Sequence, residues 1–159
     1  VLVRQNDEGV GFWIFDLEGE LRMAYRQLPD GDTELLRVGM KGLEQIVTCT
    51  YEEDLTPSGF HPDRKHMYLQ TNKGDRDLSE LMLMNVATGE MTFVEKDPEN
   101  EVDFGGLVTH PETDELMATF YVGDRVRVYN ERGALTLPAR LDAGLRRGCV
   151  CAKRWGAWA

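Results

Sequence analysis

Cysteine is scarce in this chain: Cys49, Cys149 and Cys151 are the only three in 159 residues. Three scattered thiols cannot build a disulfide framework, and they fit a reducing compartment without demanding one. A soluble, cytoplasmic location is the mild expectation. No run approaches the roughly 18 apolar residues that a membrane-spanning helix needs, and no basic-then-apolar signal segment opens the chain, so no membrane partner is expected. Helical periodicity is missing as well: no window of about a dozen residues carries an apolar stripe, Leu78 to Val86 coming nearest. Metal-ligand patterns are equally thin. His61, His66 and His110 have no zinc-like spacing, and Cys149-Val150-Cys151 has no partner pair. The acidic stretches 97–103 and 74–77 lack the alternating Asp pattern and distal Glu of a calcium loop. Gly105-Gly106 is followed by neither a helix start nor a Lys, so it reads as a bulge or a close backbone approach, not a phosphate cradle. No metal and no cofactor is called for.

Basic residues are short in supply too, and unevenly placed. The net charge is -10. Residues 131–159 hold six Lys/Arg against Glu131 and Asp142, leaving the first 130 residues with 12 basic and 26 acidic side chains. That acidic body repels a phosphate backbone, which argues against nucleic acid as a partner. The shift in composition marks two regions: 1–130, and an atypical basic tail at 131–159. The tail has two readings, a frame-shifted or truncated reading frame and a genuine short extension.

What is present reads as short strands broken by turns. Phe12 to Phe15 is aromatic and β-branched; Leu21 to Arg26 alternates apolar and polar with period two. Glu34 to Val38, Ile46 to Tyr51, His66 to Thr71, Leu81 to Val86, Met91 to Glu95, Leu116 to Val122 and Val126 to Tyr129 continue the series. Two turn patterns recur. His61-Pro62-Asp63 returns 49 residues later as His110-Pro111-Glu112. Pro62 and Pro111 preset φ there, and Asp63 is placed to hydrogen-bond the turn backbone. The second pattern is an Asp or Asn followed by a short spacer and Gly: Asp16 with Gly19, Asn85 with Gly89, Asn130 with Gly133. The side chain caps the turn and Gly takes positive φ where the strand reverses. A unit of roughly 45 residues with four short strands has the size of one β-propeller blade. The fold class expected is all-β, a partial β-propeller of about two to three four-stranded antiparallel blades.

Phe60-His61-Pro62-Asp63-Arg64-Lys65-His66-Met67-Tyr68-Leu69 resembles the Pro-Asp motif of TolB-type and peptidase-type propellers, where Ser-Pro-Asp-Gly-Lys precedes a strand. More specifically, Phe12 to Tyr129 resembles the propeller of serine peptidases of the prolyl oligopeptidase family, the dipeptidyl and acylaminoacyl peptidase-like members. The stretches that carry it are Asp16 to Arg22, Thr71 to Gly74, Asp97-Pro98, Val102 to Gly106 and Tyr121 to Arg125. That resemblance implies a propeller gating peptide access to an α/β-hydrolase domain with a Ser-Asp-His triad. The G-x-S-x-G elbow such a nucleophile needs is missing; Thr56-Pro57-Ser58-Gly59-Phe60 lacks the first Gly and reads as the start of a blade turn. A chain of this kind is expected to be inactive alone. The resemblance further implies that Glu52 and Glu53, beside Tyr51, grip a peptide's amino terminus as a carboxylate pair; the competing reading is a solvated loop. Expected partners are peptide substrates, through the absent hydrolase domain, and either further blades or another copy to cover exposed strand edges. The alternative function is a TolB- or WD-like protein–protein interaction module without enzymatic activity.

Overall fold

The computed structural model describes residues 4–122 and the strand backbones at 125–130 and 133–138. Among these residues there are twelve strands and no helix, so none long and apolar enough to cross a membrane. In chain order they are β1 (Phe12–Phe15), β2 (Leu21–Gln27), β3 (Thr33–Gly39), β4 (Gly42–Cys49), β5 (Leu55–Phe60), β6 (His66–Thr71), β7 (Glu80–Asn85), β8 (Met91–Glu95), β9 (Phe104–Thr109), β10 (Leu116–Tyr121), β11 (Arg125–Asn130) and β12 (Gly133–Pro138). They form three open four-stranded sheets, β1–β4, β5–β8 and β9–β12, each an antiparallel meander. None closes on itself.

The sheets stack through their faces. Period-two alternation sends neighbouring residues to opposite sides of a strand, and the middle sheet uses both. Met67, Leu69 and Met84 pack with Met23, Leu35, Val47 and Cys49 of the first sheet. Tyr68 and Leu81 pack with Phe104 and Tyr121 of the third. The far face of the first sheet gathers Val10, Ala24 and Leu36 with half-buried Trp13, Val38 and Leu43. Strands that are half-buried on both sides read as aliphatic runs, which is why β7 (Glu-Leu-Met-Leu-Met-Asn) looked nearest to a helix in sequence.

Three strands do not announce themselves in the sequence. β5 contains Pro57 and Gly59 and carries a register shift between them; it spans the Thr56 to Phe60 stretch that sequence reads as a turn. β9 contains Gly105-Gly106 and a register shift opposite Phe120 and Tyr121. Both are the first, edge strands of their sheets, where a missing N–H or a bulge is tolerated. At Gly106 the backbone approaches the Phe120 ring so closely that an added Cβ would sit 2.5 Å from its Cζ. The third is β12, at 133–138, beyond the residue-130 boundary suggested by composition; residues 139–159 lie outside the described residues. β4 also ends at Cys49, so Thr50 and Tyr51 belong to the turn after it.

The repeats are out of phase with the sheets at one point. Asn85–Gly89 joins the third and fourth strands of its sheet, and β11–β12 has the same place in the third. Asp16–Gly19 instead joins the first and second strands of its sheet, the place held elsewhere by the His-Pro turns. This explains the uneven spacing of the Asp/Asn-Gly pattern: similar turn chemistry serves two positions.

Candidate functional site

Each meander places its turns at two ends. One end carries the hairpins β1–β2, β5–β6, β7–β8 and β9–β10; the other carries the β2–β3 and β6–β7 loops and the connectors between sheets.

Glu52 and Glu53 lie in the connector between β4 and β5, and the structure gives them different surroundings. Glu53 Oε1 accepts the Gly74 N–H at 2.9 Å and Oε2 accepts the Thr50 N–H at 3.0 Å. Lys73 Nζ stands 3.6 Å from Oε2 and donates to Thr48 O at 2.5 Å. The Gly74 and Thr50 N–H groups, with the Lys73 charge, hold the Glu53 carboxyl below its usual range. Both oxygens of Glu53 are thus turned inward, tying the connector to the β6–β7 loop. Glu52 is exposed and accepts the Tyr51 hydroxyl at 3.0 Å. Tyr51 is itself 71% exposed, its N–H donating to Asp32 Oδ1 at 3.0 Å. Glu52 therefore faces water while Glu53 serves the backbone. The rest of this end is tied similarly: Ser79 Oγ donates to Asp54 Oδ2 at 2.9 Å, and the Ser79 N–H donates to Asp103 Oδ1 at 2.8 Å.

At the opposite end, Asp16 Oδ1 accepts the N–H groups of Glu18 and Glu20, both at 3.0 Å. Gly19, at φ +81°, returns its N–H to Asp16 O at 2.9 Å. Asp16 Oδ2 meets Arg22 at 3.0 Å and Arg64 at 3.6 Å, and the side chain is fully buried. Burial opposes ionisation, but the Glu20 N–H, the Arg22 guanidinium, the Glu18 N–H and the Arg64 charge outweigh it and keep the carboxyl below its usual value. In the second hairpin Asn85 Oδ1 accepts the Ala87 and Thr88 N–H groups, and Gly89, at φ +76°, donates to Asn85 O at 2.8 Å.

Each His-Pro turn is organised by its histidine. His61 Nδ1 accepts the Asp63 N–H at 3.2 Å, and His110 Nδ1 accepts the Glu112 and Thr113 N–H groups at 3.2 Å. The ring nitrogen does the work an Asx oxygen does elsewhere. Pro62 and Pro111 follow directly. Asp63 Oδ1 accepts the Lys65 and His66 N–H groups, and Asp63 Oδ2 pairs with His66 Nδ1 at 2.6 Å. Burial works against the charge, but His66 and the Lys65 N–H hold the Asp63 carboxyl far below the usual range. His66 Nδ1 is accordingly the donor. The recurring His-Pro pair marks both histidines as turn residues in sequence; that the ring nitrogen itself accepts the turn N–H groups is seen in the structure.

Nucleophilic catalysis by a serine needs its hydroxyl in reach of a base. The chain has two serines. Ser58 Oγ has a long contact to Thr56 O at 3.4 Å, and the Ser79 hydroxyl is committed to Asp54; neither hydrogen-bonds a histidine. Among the described residues no group of three His, Cys, Asp or Glu side chains could hold a metal ion. Cys49 is buried between the first and second sheets, and burial pushes its thiol up.

Over 120 residues, 74% of the chain, the sequence is 32% identical to dipeptidyl aminopeptidase BIII of Pseudoxanthomonas mexicana. The chain spans only 17% of that relative's length. No family model matches the chain, and no solved structure matches it. The similarity supports kinship with a peptidase over most of the chain, and the described residues are all-β and antiparallel.

Proposed function

We propose that this chain is a non-catalytic β-propeller segment of a prolyl oligopeptidase-family serine peptidase. In this reading the three meander sheets are successive blades, and they gate peptide access to a hydrolase domain that these 159 residues do not carry. The observation that carries the reading is the coincidence of two facts. The sheets repeat as four-stranded meanders with the middle one buried on both faces, and 74% of the chain is similar to part of a dipeptidyl aminopeptidase. Further blades, or a second copy, are the partners expected to cover the open faces and edges of the stack.

Of the two carboxylates proposed for a peptide's amino terminus, Glu52 is the one whose surroundings leave it facing solvent. Glu53 supports it by fixing the connector.

Two experiments test the proposal. The purified chain, incubated with dipeptidyl p-nitroanilides and with a fluorophosphonate serine probe, is expected to show neither turnover nor labelling; either one overturns the non-catalytic reading. Residues 12–129 grafted in place of the matching stretch of the Pseudoxanthomonas enzyme are expected to retain dipeptide release and to change its dependence on peptide length. A chimera whose dependence on peptide length is the same as the parent's refutes the gating role.

A further inference from the structure

The first sheet meets the second along one face, and that seam takes Met23, Leu35, Val47 and Cys49. Its other face carries residues 4–10. Val10 is buried there with Ala24 and Leu36, beside half-buried Trp13, Val38 and Leu43. Around Val10 the segment is hydrophilic. Gln5, Asn6, Asp7 and Gly9 are exposed, and Arg4 and Glu8 are half-buried. Within residues 4–10 a single buried apolar side chain is thus the anchor, and polar contacts supply the rest.

Those contacts fall into two sets. Within the segment, Asn6 Nδ2 donates to Val10 O at 2.8 Å, and the Val10 N–H donates to Asn6 Oδ1 at 2.9 Å. One side-chain amide satisfies both backbone groups of Val10, so residues 6–10 close into a loop that keeps these hydrogen bonds wherever it lies. Arg4 adds an internal ion pair to Glu8 Oε2 at 2.7 Å. Toward the sheet, Arg26 Nη1 donates to Glu8 O at 3.0 Å, and the Arg4 guanidinium lies 5.3 Å from the Trp13 ring centre. Arg26 has a second commitment. Its Nε and Nη2 donate to Glu34 Oε2 at 2.9 and 2.6 Å, and Glu34 is buried. When Glu8 O leaves, the Arg26 charge stays paired with Glu34, so separation strands no buried ion. The loop joins β1 through Gly11, whose N–H to Tyr25 O at 2.9 Å carries the β1–β2 pairing one residue further. With no Cβ, Gly11 lets the backbone swing at that point.

We propose that residues 4–10 are a strap over the outer face of the first sheet and that Arg26 is its latch. The strap lifts about Gly11 as one closed loop while the four strands beneath it stay paired. Lifting uncovers Ala24 and Leu36 and frees the Trp13 ring from Arg4. Met23 and Leu35, their chain neighbours on the opposite face, stay covered by the second sheet. Where a further sheet stacks on this face, as the propeller reading expects, it does so after the strap lifts; the lifting itself needs no partner.

Consecutive residues of β3 supply the test. Leu36→Cys and Leu35→Cys are made separately in the full chain, and labelling by iodoacetamide under native conditions is located by peptide mass. Each rate is normalised to the variant's own unfolding equilibrium. The Leu36→Cys thiol is expected to label about fivefold faster or more, because local opening reaches it and only wider unfolding reaches Leu35→Cys. Arg26→Lys keeps a cation beside Glu34 and gives up the planar fork that also reaches Glu8 O. Adding it is expected to accelerate Leu36→Cys by a similar factor and leave Leu35→Cys unchanged. Ala24→Cys against Met23→Cys, on β2 and on the same two faces, repeats the comparison if Leu36→Cys does not fold. Equal normalised rates on the two faces overturn the strap, and so does an Arg26→Lys effect that is absent or equal on both.

Discussion

Gly19 and Gly89 look alike in sequence, and the structure predicts that they respond very differently to one methyl group. Both close Asp/Asn turns at nearly the same φ, +81° and +76°. A Cβ at Gly19 would meet nothing within 4 Å. Gly19→Ala therefore carries only the conformational penalty of a left-handed alanine, roughly 1–2 kcal/mol. A Cβ at Gly89 would lie 2.9 Å from the Ile46 carbonyl oxygen and 2.9 Å from Ile46 Cγ2. That carbonyl belongs to β4, so the β7–β8 turn of the second sheet rests against the backbone of the first. Backbone cannot rotate away as a side chain can, and overpacking of this kind adds about 1–3 kcal/mol. Gly89→Ala should cost about 2–5 kcal/mol in total, the sum of the two ranges. Urea unfolding of the two variants, followed by far-ultraviolet circular dichroism at one protein concentration, measures the difference. At this chain length each kcal/mol also lowers Tm by about 2–4 °C. Equal losses for the two variants would refute the close approach of the β7–β8 turn to the β4 backbone.

Asp16→Ala should destabilise the chain by about 3 kcal/mol at neutral pH, because it strips a buried acceptor from two N–H groups and two guanidinium groups. The Asp16 carboxyl is held below its usual value in the folded chain, so its contribution is complete above the unfolded pKa of about 4 and is lost as pH falls below it. Unfolding curves of the chain and of Asp16→Ala should therefore converge as pH drops below about 4; a constant gap sinks the argument. Glu53→Ala should lower stability by about 1–3 kcal/mol through the freed Gly74 and Thr50 N–H groups, whereas Glu52→Ala should change it by under about 0.5 kcal/mol. Thermal melts of the two variants measure this, and equal shifts would mean that Glu53 does not anchor the connector.

Strand chemistry was legible wherever it was regular. Leu21 to Gln27, His66 to Thr71 and Met91 to Glu95 show β-prone residues between turn signals, and a local rule suffices because backbone pairing and side-chain alternation are both short-range. β5 and β9 were not legible, because Pro57, Gly59 and Gly105-Gly106 break the local pattern and only pairing with β6 and β10 restores the strand. The candidate carboxylates show the same limit. Tyr51-Glu52-Glu53 gives two adjacent acids identical standing in sequence, yet Gly74, 21 residues away, claims one of them.

The amino-acid order by itself determined the all-β class, the absence of a serine elbow, and the turns where Asp, Asn or Pro acts on its own neighbours. Only the tertiary structure decided which sheet faces meet, which glycine touches a neighbouring backbone, and that Arg64 reaches back to Asp16. The reason is range: a turn residue acts over two to four positions of the chain, whereas a seam joins side chains nearly fifty positions apart, and no local pattern encodes where a long side chain at a strained turn will find its partner.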